Sequence, residues 1–277
     1  MLIARYRDPG GSHLGLVEDG HVLEIAADAA RIDVLGVLAA TDLRSPQLLP
    51  VGPKAISDIQ LLAPIAKPGK VICVGANYAA HAQESGMAVP DFPNVFAKFP
   101  SSLLDPGRDI ELPDADPAVD YEGELCVVIG RQTRHIPKAG ALACVAGYTV
   151  ANDVSARTLQ GRVSQWVVGK SCDTFCPLGP WLATADSIPD PGALRIQTLV
   201  DNEIMQDAST GDMVFDVATL IAYLSAVMTL EAGDIILTGT PDGVGAMRTP
   251  PRYLRAGQTV IVRIEGIGAL VNPVVKA

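Results

Sequence analysis

The sequence predicts an α+β fold built on a rolled, mostly antiparallel sheet, with a small strand-rich unit at its N-terminus. Three observations predict it. Strand-like runs outnumber helical ones along the 277 residues. They do not alternate regularly with helices, which argues against a doubly wound parallel sheet. Several are joined by short turns of the hairpin type, such as Asp19-Gly20 and Asp201-Asn202.

Residues 1–66 read as the small unit. Residues 2–6, 14–17 and 22–25 are short apolar strands separated by Asp8-Pro9-Gly10-Gly11 and Asp19-Gly20. Residues 33–40 are weakly helical. Pro46, Pro50, Pro53, Pro64 and Pro68 then punctuate a connector that carries the boundary. The main unit, residues 67–277, opens on a buried strand at 71–75. A helix over 78–85 follows, closed by Gly86 as a left-handed cap. Residues 87–93 form a loop and 95–99 a strand. Residues 105–120, rich in Pro and Asp, read as a long surface connection. Residues 120–130 form the central strand. A short helix at 138–144 leads into a strand that ends at Asp153, and a second helix is expected over 155–163. Residues 194–200 and 203–206 make a hairpin. The clearest helix covers 213–228, with Asp216 as its N-cap and Val217, Leu220, Ile221, Leu224 and Met228 on one apolar face. Strands at 233–239, 258–264 and 270–275 complete the chain.

Composition narrows the function classes. Hydrophobic residues make up 48% and the formal net charge is −10, which indicates a globular protein with no electrostatic footprint for nucleic acid or an anionic membrane. The five cysteines form no Cys-x-x-Cys, and several sit in apolar runs; they read as reduced, buried thiols. The first residues carry charges where a secretory leader would be apolar, so a cytoplasmic location is expected. Gly239-x-x-x-Gly243-x-Gly245 lacks both the Lys-Ser/Thr of a phosphate loop and the dinucleotide order.

The chemistry centres on Glu122-Gly123-Glu124. Side chains alternate along a strand, so the two glutamates share a face and repel unless a cation joins them. Such a pair alone usually marks a solvated face. A third acid, Asp153, closes the strand-like run over 147–153. Three carboxylates from two strands make a hard oxygen site suited to Mg²⁺, Mn²⁺ or Ca²⁺ and poor for zinc. His81 and Glu84 lie three apart on a helix, where the carboxylate orients the imidazole and makes its second nitrogen a better base. A surface pair is the plain alternative. His13, His21 and His135, the other histidines, lie in weakly organised regions. Lys170 ends an apolar run. It is either a solvated lysine or, buried beside the acids, a charge-balancing or proton-donating one. Thr240 sits on a tight turn that can present N–H groups and a hydroxyl to a carboxylate. Arg157 and Gln160 share the segment after Asp153, and Arg157 offers a two-point grip on a carboxylate.

Glu122-Gly123-Glu124, Ala151-Asn152-Asp153-Val154-Ser155-Ala156-Arg157, Gly169-Lys170-Ser171 and Thr238-Gly239-Thr240-Pro241, in that order, resemble the fumarylacetoacetate hydrolase family. Residues 75–84, from Gly75-Ala76-Asn77-Tyr78 to His81 and Glu84, look like its lid motif. The resemblance spans roughly residues 68–275. It implies the family's mixed β-sandwich roll, a homodimer, and Mg²⁺ or Mn²⁺ held by Glu122, Glu124 and Asp153, with Ca²⁺ as a substitute in vitro. It also implies that His81 with Glu84 activates water and that Lys170 acts at the substrate oxygens. Arg157, Gln160 and Thr240, with Tyr78 and Lys98, would lie near the substrate. Thr158, Asp242 and the Ser209-Thr210-Gly211-Asp212 run depart from the family pattern at positions that bear on specificity.

The expected function is a divalent-metal-dependent hydrolase that cleaves a C–C bond in a β-diketo acid through a metal-bound enolate. Aromatic or sugar-acid catabolism would supply such a substrate. The alternatives on the same enolate are an oxaloacetate decarboxylase or tautomerase, or a 2-hydroxyhepta-2,4-diene-1,7-dioate isomerase. The alternative of another class is a non-catalytic, metal-stabilised structural protein.

Overall fold

The computed structural model describes residues 1–25 and 52–277. The weak helix expected over 33–40 falls outside them. Near the N-terminus, β1 (Leu2–Asp8), β2 (Gly11–Glu18) and β3 (His21–Glu24) form an antiparallel meander. Asp19 and Gly20 both take positive φ in the two-residue turn between β2 and β3, the geometry that lets a hairpin keep its right-handed twist. β4 (Lys54–Ala55) adds to β3, and β5 (Gln60–Leu62) adds to β1.

The next segment supplies β6 (Val71–Gly75), α1 (Ala79–Glu84) and β7 (Asn94–Lys98). Residues 105–120, expected on the surface, instead carry two short strands, β9 (Ile110–Leu112) and β10 (Val119–Asp120), after β8 (Leu103–Leu104). Ile110 and the carboxylates of Asp116 and Asp120 are buried there. β11 (Gly123–Ile129) is buried along its whole length, as befits a central strand covered on both faces. After α2 (Lys138–Ala141), β12 (Val145–Asn152) returns antiparallel beside it.

The helix expected over 155–163 is shorter than its sequence suggested. Ser155 and Ala156 form β13 against β10, and only α3 (Arg157–Gln160) is helical before Gly161 ends it. Pairing with β10 outweighs helix propensity in this stretch. α4 (Val167–Lys170) follows, then β14 (Cys176–Thr184), which the sequence did not announce. Pro177, Gly179 and Pro180 disguise it, since proline removes ladder donors.

β15 (Arg195–Val200) and β16 (Glu203–Ser209) form the expected hairpin. α5 (Val217–Val227) buries Val217, Leu220, Ile221 and Leu224, and its N-cap Asp216 accepts from the Thr219 N–H at 2.7 Å. β17 (Ile235–Leu237), β18 (Thr259–Ile264) and β19 (Gly268–Lys276) end the chain.

The described strands form one large mixed sheet in the order β4-β3-β2-β1-β14-β12-β11-β17-β6-β7, with β5 and β8 attached at its side, a second in the order β16-β15-β18-β19-β9, and the two-stranded pair β10-β13. β1 is hydrogen-bonded to β14 through Leu2–Ala183 and Ile3–Leu182, so the main sheet runs unbroken from the N-terminal meander to β7. The second sheet packs on β11, β12 and β14, and the larger apolar core fills the space between the two layers. No helix among the described residues is long and apolar enough to cross a membrane.

Candidate metal centre and active site

The acids converge because β11 and β12 are neighbours. Gly123 pairs with Asn152 and Glu124 with Ala151, so Glu122 and Asp153 flank the open end of the ladder. The Asp153 N–H donates to the Glu122 carbonyl at 2.8 Å and closes that end. Glu122 and Glu124 point one way, and Gly123 faces the other sheet. A Cβ at Gly123 would stand 2.1 Å from Thr198 Oγ1, so only glycine allows the two layers to meet here. Oxygens of Glu122, Glu124 and Asp153 lie within 4.8 Å of one another, and all three side chains are buried.

Three cations offset this charge. Lys98, fully buried, donates to Asp153 Oδ1 at 2.5 Å and to the Val154 carbonyl at 3.0 Å. Lys170 bridges Glu122 at 2.7 Å and Asp153 at 2.8 Å. Arg157 reaches Glu122 Oε1 at 2.5 Å and grips Asp120 through Nε and Nη2 at 3.0 and 2.8 Å. Burial alone would push the Glu122 carboxyl up, but Lys170, Arg157 and His81 hold it well below the usual range. Glu124 goes the other way: burial, then the charges of Asp153 and Glu122, push it well up. Burial works against the Lys170 ammonium, yet Asp153 and Glu122 keep it charged beyond the ordinary lysine range.

A cavity of about 410 Å³ opens on this cluster. Of the expected site residues, His81, Glu122, Glu124, Arg157, Gln160, Lys170 and Thr240 line it. Glu84 does not, but holds His81 Nδ1 at 2.9 Å and is itself held by the Gly243 N–H at 3.0 and 3.1 Å. Thr240 donates to the Gly123 carbonyl at 3.0 Å and accepts from Gln206 at 2.8 Å. Its hydroxyl is therefore committed within the fold.

Tyr78 and Lys98, expected near substrate, do not line the cavity. Lys98 is spent on Asp153, and Tyr78 lies buried as the residue before α1. The Tyr78 hydroxyl has no hydrogen-bond partner. Burial, and then the nearby Glu124 charge, push its pKa above the ordinary phenol range. This orphaned donor and three buried carboxylate oxygens fit a hydrated hard cation, with Glu122, Glu124 and Asp153 as its protein ligands. The donor set contains no thiol or imidazole that would select zinc.

Sequence reasoning missed Asp120. It is fully buried and accepts from the N–H groups of Tyr121, Gly245 and Ala246 as well as from Arg157. One carboxylate thus ties the arginine of the site to the turn that carries Met247. The only hint was an acid immediately before a Tyr-Glu-Gly-Glu strand. Gln206 was missed as well; it braces Gly123 and Thr240 from β16.

Gly239 is the second glycine the site requires. At φ +100° it brings its N–H to Glu124 Oε2 at 2.7 Å, and a Cβ there would meet Asn77 Cβ at 2.7 Å.

Known proteins resemble this chain in sequence and in fold. The Fumarylacetoacetate (FAA) hydrolase C-terminal family matches residues 70–275. Oxaloacetate tautomerase Fahd2a, mitochondrial, of Rattus norvegicus is 50% identical over 228 residues, 82% of this chain and 72% of that protein. The structure of 2-hydroxyhepta-2,4-diene-1,7-dioate isomerase from Mycobacterium marinum superposes with a TM-score of 0.82 at 37% identity, covering 100% of this chain and 98% of the other. That of fumarylacetoacetate hydrolase from psychrophilic Exiguobacterium antarcticum does so with a TM-score of 0.86 at 39% identity, covering 100% of each chain. The chain belongs to the fumarylacetoacetate hydrolase family.

Proposed function

We propose that this chain is a divalent-metal-dependent enzyme that interconverts the keto and enol forms of a 2-oxo acid, with oxaloacetate as the first compound to test. One observation carries the reading: Glu122 and Glu124 of the buried acid triad line the same cavity as His81, the imidazole that Glu84 holds. The similarity to an oxaloacetate tautomerase supports it. A bound Mg²⁺ or Mn²⁺ would supply Lewis-acid polarisation of the substrate oxygens.

The chain's own residues do the rest. Glu84 accepts from His81 Nδ1, which leaves Nε2 as the basic nitrogen. Nε2 takes a proton from the carbon next to the keto group. The C–H electron pair becomes the C=C bond, the C=O π pair moves onto the keto oxygen, and the imidazolium gives its proton to that oxygen. Gly243 keeps Glu84 in place during this exchange. Lys170 is held charged by two carboxylates, so it serves as a donor to substrate oxygens and not as the base.

A second reading rests on the same dyad. His81, held by Glu84, would equally deprotonate a water for attack on the distal carbonyl of an acylpyruvate, which gives hydrolytic C–C cleavage. Oxaloacetate, acetylpyruvate and fumarylpyruvate, each incubated with Mg²⁺ and then with chelator, separate the two. The tautomerase reading expects enol absorbance to relax faster on oxaloacetate with Mg²⁺ and at the background rate with chelator. Consumption of acylpyruvates alone sinks it in favour of hydrolysis. No change on any of them, with Mg²⁺ still raising the melting temperature, favours a non-catalytic member. The homodimer and the cytoplasmic location belong to the same proposal; sedimentation tests the first and cell fractionation the second.

Two variants test the assigned roles. His81→Asn is expected to lower kcat by about 10²- to 10⁴-fold. Its Mg²⁺-dependent rise in melting temperature should stay intact, because His81 lies outside the triad. Asp120→Asn is expected to lower kcat/KM by roughly 10- to 100-fold, the range for residues that orient others. Most of that loss should fall on KM, since Asp120 positions Arg157 and the turn at 245–247 without touching the reacting atoms. A loss confined to kcat argues against this positioning role.

A further inference from the structure

On the cavity wall, the Ser85 hydroxyl and the Gln160 amide nitrogen have no hydrogen-bond partner among the described residues. The cations there are committed. Arg157 holds Asp120, Glu122 and the Gln160 oxygen. Lys170 donates to Glu122 and Asp153 and stands 5.0 Å over the Phe96 ring centroid. Phe96, Trp166, Val244 and Met247 make much of the remaining wall apolar. Gln160 Oε1 accepts from Arg157 Nη1 at 3.1 Å, which leaves the other end of the amide to donate.

Ser85 closes α1 one turn beyond His81, and its N–H donates to the His81 carbonyl at 3.1 Å. Residues four apart share a helix face, with β-carbons about 6 Å from each other, and side chains lean toward the helix N-terminus. Ser85, half-buried on the cavity wall, therefore leans toward His81. In a 2-oxo dicarboxylic acid such as oxaloacetate, the carbon that His81 deprotonates carries the second carboxylate directly. The first carboxylate and the keto oxygen belong at the acid triad. The second is thus turned toward His81 and its neighbour on that helix face.

We propose that Ser85, assisted by the Gln160 amide, receives this second carboxylate and is a specificity-determining residue for 2-oxo dicarboxylic acids. The placement of the head and of His81 rests on the function proposed above. Neutral donors suit the task, because hydrogen bonds to an ionised acceptor are stronger than those between neutral groups and satisfy the carboxylate without a further cation.

Calorimetric titration of the Mg²⁺-loaded protein with L-malate and L-2-hydroxybutanoate tests this. Both are four-carbon 2-hydroxy acids with no keto group to tautomerise, and they differ in a carboxylate or a methyl group at the far end. L-Malate is expected to bind about tenfold tighter or better. Ser85→Ala is expected to remove most of that advantage and to leave 2-hydroxybutanoate within about twofold. Ser85→Thr keeps a hydroxyl at the same place and should keep the preference. The Ser85 side chain makes no hydrogen bond among the described residues, so both variants should fold normally. Equal or weaker binding of L-malate to the native chain overturns the proposal, as does failure of both compounds to bind. A preference unmoved by Ser85→Ala, or lost equally in Ser85→Thr, overturns the role of the hydroxyl. If the preference follows the hydroxyl while oxaloacetate is not tautomerised, the keto–enol reading fails and recognition of the second carboxylate stands.

Discussion

Glu124→Gln is expected to abolish turnover and the Mg²⁺-dependent rise in melting temperature together, while leaving the metal-free protein at least as stable as the native one. The amide oxygen of the variant still accepts from Gly239, so the backbone contact survives. What disappears is a buried charge. In the metal-free protein that charge is unfavourable: burial and the neighbouring Asp153 and Glu122 push the carboxyl well above its ordinary value of 4.5. The sign follows from linkage. A carboxyl with its folded pKa raised costs stability once the pH exceeds the unfolded value, and more as the pH climbs through the gap. Removing it removes that cost at neutral pH. The cation, by contrast, loses a ligand whose charge it needs. Several kcal/mol of electrostatic assistance corresponds to about 10³-fold or more in rate. Melting curves with and without Mg²⁺, beside a turnover assay, check both halves. A variant that keeps its response to Mg²⁺ excludes Glu124 as a ligand.

Asp153→Asn should behave in the opposite way in the absence of metal, unfolding at a markedly lower temperature even in chelator. Asp153 is fully buried and is the carboxylate partner of both Lys98, at 2.5 Å, and Lys170, at 2.8 Å. Lys170 keeps Glu122, but Lys98 loses its carboxylate partner and is left with neutral acceptors alone, an amide oxygen and the Val154 carbonyl. Breaking a buried pair by removing one partner costs about 3–5 kcal/mol. For a chain of this size that is a fall in melting temperature of roughly 10 °C. The double variant Asp153→Asn with Lys98→Met should recover a good part of the loss, because it removes the stranded ammonium. Thermal unfolding of the single and double variants decides the matter. If the single variant melts within a degree or two of the native chain, Asp153 is not the anchor of this lysine pair.

These opposite outcomes for neighbouring acids show which features the sequence alone could reveal. Glu122 and Glu124 flank one glycine on a strand, so their shared face follows from a local period of two. Asp153 closes an apolar run at a recognisable strand end. The hairpin at Asp201-Asn202, the Asp216 cap and the buried face of α5 are local as well, each decided by residues within a turn or two. The motif order then placed the chain in its family.

Other features depend on strand order and register, which no short window contains. β14 was hidden by its prolines and took its place through contacts with β12 and β1. Lys98 and Asp153 are 55 residues apart and meet because β7, at the edge of the main sheet, ends over the buried acids. Asp120 looked like an ordinary acid on a surface loop, yet it gathers donors from Arg157 and from the turn at Gly245. The sequence by itself determined which carboxylates could bind a hard cation, because alternation along a strand is a property of adjacent residues. Only the tertiary structure decided which cations neutralise them and which apolar walls face them, because those neighbours come from distant strands brought together by burial of the core.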